Sequence, residues 1–152
     1  MRISRHGIAV DLPPGWEGAI AAATTPGAKA ADAAAYPVAH LSTAALPPDR
    51  GDFGSGVVDD LGPDDAFVAL LEYGPECAGT PMFSRQGIPR HLRARAFNRR
   101  TLQRTLAGQA GQQVFFTEGG RAFCLYVVLG RDHDVEPLVD RVNAALAGVE
   151  VG

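Results

Sequence analysis

Only two cysteines, Cys77 and Cys124, stand in the 152 residues, and 47 positions separate them. Two thiols at that spacing make neither a zinc motif nor a redox pair, and they exclude a disulfide-stapled scaffold. Long apolar runs are missing too. The longest, Ala122–Leu129, has eight residues, far short of the ~20 that carry a helix across a bilayer. The opening Met1-Arg2-Ile3-Ser4-Arg5-His6 lacks the apolar stretch of a secretion signal. These absences predict a cytoplasmic chain with reduced thiols and no membrane segment. Lysine is nearly absent as well: Lys29 stands alone among 14 basic residues, and the rest are arginine. Alanine is abundant. That bias is what a GC-rich genome writes, so the arginine count by itself does not indicate phosphate recognition.

The length suits one domain, 1–152, with a core that needs no metal or disulfide support. Eighteen glycines and 11 prolines disfavour an all-helical bundle but stay below the level that signals disorder. The net charge of −3 hides two adjacent blocks of opposite sign. From Asp49 to Glu76 there are eight acids and one arginine. From Cys77 to Thr117 there are seven arginines and no acid. Such blocks cancel within the fold or form separate patches that meet partners.

Gly7–Leu12 alternates as a half-buried strand, broken by Pro13-Pro14-Gly15. Trp16–Ala22 resumes the extended pattern, which predicts a hairpin about the Pro-Pro-Gly turn with Trp16 closing one end of the core. Ala23–Ala35 has no large apolar side chain and reads as a long mobile surface loop. Tyr36–Thr43 is the next strand, with Val38 and His40 on one face and Ala39 and Leu41 on the other. A short helix capped by Ser55 is expected through Val57, Val58 and Leu61. Ala66–Tyr73, apolar on both faces, reads as a central strand. A glycine- and proline-punctuated loop over 74–97 follows, where binding loops tend to sit. A second short helix is expected over Asn98–Leu106. Gln112–Thr117 and Arg121–Leu129 then form a hairpin about Glu118-Gly119-Gly120, with Ala122–Leu129 in mid-sheet. The last element is a helix capped near Asp134, with a stripe of Val135, Leu138, Val139, Val142 and Leu146, stopped by Gly148.

This order resembles the PsbP-like α/β sandwich. Its members include an extrinsic photosystem subunit, a Ran-binding nuclear import factor and many bacterial proteins of unknown role. The resemblance rests on Gly7-Ile8-Ala9-Val10-Asp11-Leu12-Pro13-Pro14-Gly15-Trp16 at the start. At the end it rests on the strand Ala122–Leu129 followed by the helix Val135–Ala147. It implies an α+β fold: a mainly antiparallel, twisted sheet carrying the C-terminal amphipathic helix and one short helix. It also implies a small binding or assembly domain, and it transfers no functional residues.

Residues able to carry catalysis are scattered. Cys124 sits in an apolar run and reads as core, while Cys77 follows a turn with no histidine near it in sequence. Gly54-Ser55-Gly56 lacks the glycine spacing and the lysine of a phosphate loop, and acids crowd it. Arg131-Asp132-His133-Asp134 puts its donors on successive residues, which rarely converge on one ion. His6, His40 and His91 read as surface or packed side chains, and Ser42, Ser55 and Ser84 lack a nucleophile elbow. No catalytic, cofactor or metal residue is therefore assigned.

The feature left is the arginine cluster, with Arg93, Arg95, Arg99 and Arg100 as candidate partner-binding residues. A net acidic chain without a nucleic-acid-binding motif argues against nucleic acid. The reading is a non-enzymatic domain that binds a protein partner or its own copies. The alternative is a small-molecule-binding or hydrolytic enzyme with its pocket between the sheet and the 74–97 loop. The arginines tell the cases apart: a partner surface leaves them exposed, whereas internal pairing joins them to Asp52, Asp59, Asp60, Asp64 or Asp65.

Overall fold

A computed structural model describes residues 1–22, 36–104 and 106–152. The expected Ala23–Ala35 loop lies outside the described residues. The fold is mixed α+β and mainly antiparallel sheet. A three-stranded sheet has the order β1(Arg2–Arg5)–β2(Ile8–Asp11)–β8(Val149–Val151). A five-stranded sheet runs β3(Glu17–Ala22)–β4(Pro37–Ser42)–β5(Ala66–Tyr73)–β7(Arg121–Leu129)–β6(Ala110–Glu118). The helix α1 spans Glu136–Ala147. No helix among the described residues is long and apolar enough to cross a membrane.

The two most apolar segments occupy the middle of the larger sheet, as their sequence demands. β7 pairs with β5 along the whole of β5, from Ala66 opposite Leu129 to Tyr73 opposite Ala122. Alternation across this sheet divides the core in two. Leu41, Val68, Leu70, Leu125 and Val127 face α1 and the smaller sheet, in one cluster with Ile8, Val10, Val142 and Leu146. Val38, Phe67, Ala69, Tyr126 and Val128 face the other way, under Val57, Val58 and Leu102. The face assignment of Val38 against Ala39 and Leu41 therefore holds. β6 and β7 are joined by Gly119-Gly120, whose φ values of 59° and 77° are the left-handed pair that a two-residue hairpin requires.

Four expectations fail. β2 and β3 form no hairpin about Pro13-Pro14-Gly15; they enter different sheets. The chain has two strands the sequence pattern does not announce: β1, which returns into β2 through His6-Gly7, and β8, which pairs on the far side of β2. Both are short, and β8 lies behind a helix whose stop signal reads as the end of structure. Trp16 is nonetheless 7 % exposed and belongs to the helix-side core. The Ser55 helix shrinks to one 3-10 turn, Val58–Asp60, without a side-chain cap. The Asn98–Leu106 helix shrinks to Arg99–Thr101, because Leu102 is drawn into the core behind Tyr126. Finally, Asp134 caps nothing: α1 starts after Val135 with no side-chain cap, and Asp134 holds a left-handed φ of 47°.

Candidate functional site

Residues 85–104 follow the outer edge of β6, and their backbone is fixed to it at two points. Thr117 donates its N–H to the Arg85 carbonyl and accepts from Gly87, each at 2.8 Å. Further along, Asn98 and Gly111 exchange both backbone hydrogen bonds, at 3.0 and 2.8 Å. A Cβ at Gly111 would lie 2.8 Å from the Leu102 Cδ2 atom, so the glycine leaves room for Leu102 to pack on the sheet. An open sheet edge invites pairing with another chain, and here the segment covers it.

Side chains supply further anchors. The Arg90 guanidinium donates to the Leu146 carbonyl (2.7 Å) at the end of α1 and to the Val149 carbonyl (2.8 Å) in β8. A cation suits the negative end of a helix. Asn143 of α1 clamps Leu92 from both sides: its Oδ1 accepts the Leu92 N–H at 2.9 Å, and its Nδ2 donates to the Leu92 carbonyl at 3.0 Å. Asn98 Oδ1 accepts from the N–H and the hydroxyl of Thr101, each at 3.0 Å, which caps the Arg99–Thr101 turn. The Tyr126 hydroxyl accepts from the Gln103 N–H at 2.7 Å. Arg104 donates to both carboxylate oxygens of Asp59.

The apolar residues of this segment turn inward. Ile88, Leu92, Ala94 and Phe97 pack on the helix side of the sheet, whereas Leu102 and Leu106 pack on the opposite side. The segment therefore wraps around the β6 edge from one core to the other. What it leaves outside are Arg93, Arg95, Arg99 and Arg100, all four exposed. None pairs with the Asp49–Glu76 block among the described residues. Asp59 takes Arg104, Asp64 takes Arg131 and Glu72 takes Arg121. Arg99 alone meets an acid, Asp132, at 3.9 Å with its own side chain 65 % exposed, a pair too solvated to neutralise it. Of the two alternatives, internal pairing of these four with the acidic block is absent among the described residues, while Arg104 does pair with Asp59.

Sequence reasoning finds the arginines but misses Asn143, Arg90 and Asn98, which hold them in place. An asparagine on an otherwise amphipathic helix gives no signal of a partner 51 residues away.

Other candidate groups do not assemble. Among the described residues no three His, Cys, Asp or Glu side chains converge as a metal site. The Arg131 guanidinium donates to the carbonyls of His133 and Asp134, so this run folds on itself as a turn. His6, His91 and His133 are exposed. His40 is 5 % exposed and fully partnered: Nδ1 accepts from Arg50 Nε and Nε2 donates to the Asp52 carbonyl, both at 2.8 Å. Cys124 is buried, and that burial pushes its thiol up to about 11. Cys77 is half-buried at the rim of an open cleft of about 350 Å³ where β5 meets the start of the 74–97 loop. Tyr36, Phe53 and Tyr73 wall the cleft, and Asp52, Glu72 and Glu76 reach into it. No histidine lines it to activate the thiol, and Glu72 is held by Arg121.

Comparison of the chain with protein-family models, with characterised proteins and with solved structures returns no match.

Proposed function

We propose that this chain is a non-enzymatic binding domain. Its contact surface is the arginine-bearing wrap around β6, and its partner is an acidic protein surface. The carrying observation is that Arg93, Arg95, Arg99 and Arg100 are exposed on a segment whose backbone is anchored at Leu92 before them, at Asn98 between them and at Gln103 after them. A backbone already fixed loses little further freedom on binding, and the guanidinium fork suits bidentate contact with carboxylates. The resemblance to PsbP-like α/β sandwiches agrees with a binding or assembly role.

Titrating the protein with a fluorescent polyglutamate peptide tests this. The wild type should bind at low salt and weaken as salt rises. The variant Arg93→Ala/Arg95→Ala/Arg99→Ala/Arg100→Ala should bind at least about tenfold more weakly, since each anchor at an interface is worth ~1–2 kcal/mol, and it should melt as the wild type does. Undiminished peptide binding by the variant sinks the reading. Tighter uptake of a single-stranded RNA by the same arginines replaces it with a nucleic-acid function.

A second reading has one observation in its favour, the cleft at Tyr73–Cys77. It lies near the start of the 74–97 loop, with a volume in the range of small-molecule sites.

A further inference from the structure

A cavity of about 60 Å³ lies on the face of the larger sheet away from α1. Phe53, Val58, Leu102 and Val128 give it apolar walls, and Phe53 meets Tyr126 edge to face at 5.4 Å. Two buried polar side chains line it as well: Gln109 is 6 % exposed and Tyr126 2 %. Gln109 donates from Nε2 to the Val58 carbonyl at 2.7 Å. That bond fixes the amide, because reversing it would set oxygen against oxygen. Its Oε1 is buried and receives no hydrogen bond among the described residues. The Tyr126 hydroxyl accepts from the Gln103 N–H at 2.7 Å, and its own proton finds no acceptor among the described residues. Burial pushes the Tyr126 pKa above its ordinary value, so that proton stays in place at neutral pH.

One cavity thus holds an unspent acceptor and an unspent donor in apolar surroundings. We propose that it is a binding site for a small neutral molecule carrying one hydroxyl on a short apolar body. The hydroxyl donates to Gln109 Oε1 and accepts from Tyr126, while the body lies against Phe53, Val58, Leu102 and Val128. The site goes beyond the arginine surface and does not depend on it.

Water is the competing occupant. One water needs only ~10–15 Å³ and makes about three hydrogen bonds when buried. Here it would find two, in a space several times larger, and further waters would meet apolar walls. An alcohol spends its hydroxyl on the two polar groups and its carbons on the walls. Ionised ligands do not fit, since an unpaired charge in such surroundings is costly. Arg104, at the rim, is already held by both carboxylate oxygens of Asp59.

Nuclear magnetic resonance on the pure protein tests the proposal with two probes of one shape, 2-propanol and acetone. Both can accept from Tyr126, but only 2-propanol can donate to Gln109. In the wild type, 2-propanol should bind saturably, with nuclear Overhauser contacts to the methyl groups of Val58, Leu102 and Val128. Acetone should bind at least about fivefold more weakly, the loss expected when a buried acceptor stays unpaired. Gln109→Met nearly keeps the volume and removes Oε1, so it should abolish the preference for the alcohol. Absence of saturable contact between 2-propanol and these methyl groups overturns the proposal and leaves the cavity to water. Equal affinity of the wild type for both probes also overturns it, because the site then recognises shape alone. A full preference retained by Gln109→Met removes Gln109 as the acceptor, and the proposal with it. Should that variant fail to fold, the wild-type comparison still decides.

Discussion

Arg50 donates from Nε to His40 Nδ1 at 2.8 Å, and that bond fixes the charge of a buried imidazole. A ring nitrogen that accepts from a guanidinium cannot also carry a proton, so Nε2 bears the hydrogen donated to the Asp52 carbonyl. Burial pushes the His40 pKa below its ordinary value, and the Arg50 cation pushes it the same way. The unfolded chain therefore takes up this proton first as pH falls below about 6.5. The contribution to stability is present above that pH and is lost as pH falls towards the folded pKa. Melting temperatures followed from about pH 8 to about pH 5 should fall more steeply for the wild type than for His40→Gln. Parallel curves would show that the bond does not govern the charge.

Trp16 lies in the helix-side core although its neighbours enter different sheets. Trp16→Ala should cost about 3–5 kcal/mol, as a large core truncation does. Denaturant unfolding measures it, and an unchanged midpoint would remove Trp16 from the core.

Asp134 should report backbone strain. Its φ of 47° belongs to the left-handed region, and its side chain caps nothing. Asp134→Gly and Asp134→Ala lose the same carboxylate, but only glycine enters that region freely. The glycine variant should be more stable than the alanine variant by about 1 kcal/mol. Equal stability would mean the turn relaxes at no cost.

The two thiols should separate in a labelling experiment. Cys77 is half-buried and should react with an aromatic disulfide reagent in the native protein. Cys124, buried and raised to about 11, should react only after denaturation. Two equivalents reacting quickly without denaturant would contradict its burial.

Asn143→Ala should leave both backbone groups of Leu92 without their partner and cost about 1–3 kcal/mol. Hydrogen exchange at Leu92 should quicken beyond the global change in stability. Uniform exchange across α1 and this segment would mean that the clamp is not what holds it.

Much of this architecture is legible in the sequence because hydrophobic pattern is a local signal. β5, the β6–β7 hairpin and α1 each bury enough apolar surface for their periodicity to announce them. β1 shows little of it, with three of its four residues exposed. The Pro13-Pro14-Gly15 turn misleads for a related reason: two strands flanking a turn read as partners, and only the wider packing sends them to separate sheets. The arginines are visible as charge, but that Arg93, Arg95, Arg99 and Arg100 meet none of the Asp49–Glu76 acids among the described residues is a property of the fold. So are the anchors at Asn143 and Arg90, which act across more than 50 residues.

The pairing of Ile8 with Val151 has a consequence for the order of assembly. β2 finds β1 across a two-residue turn, a hairpin closure of about 1–10 μs. Its other neighbour, β8, lies about 140 residues downstream, so that closure carries the larger chain-entropy cost. During synthesis the first hairpin must wait, with the apolar side of Ile8 and Val10 uncovered, until Val149–Val151 have emerged. The smaller sheet is therefore the seam that closes last, and folding at high concentration should be most vulnerable to misassociation before it shuts.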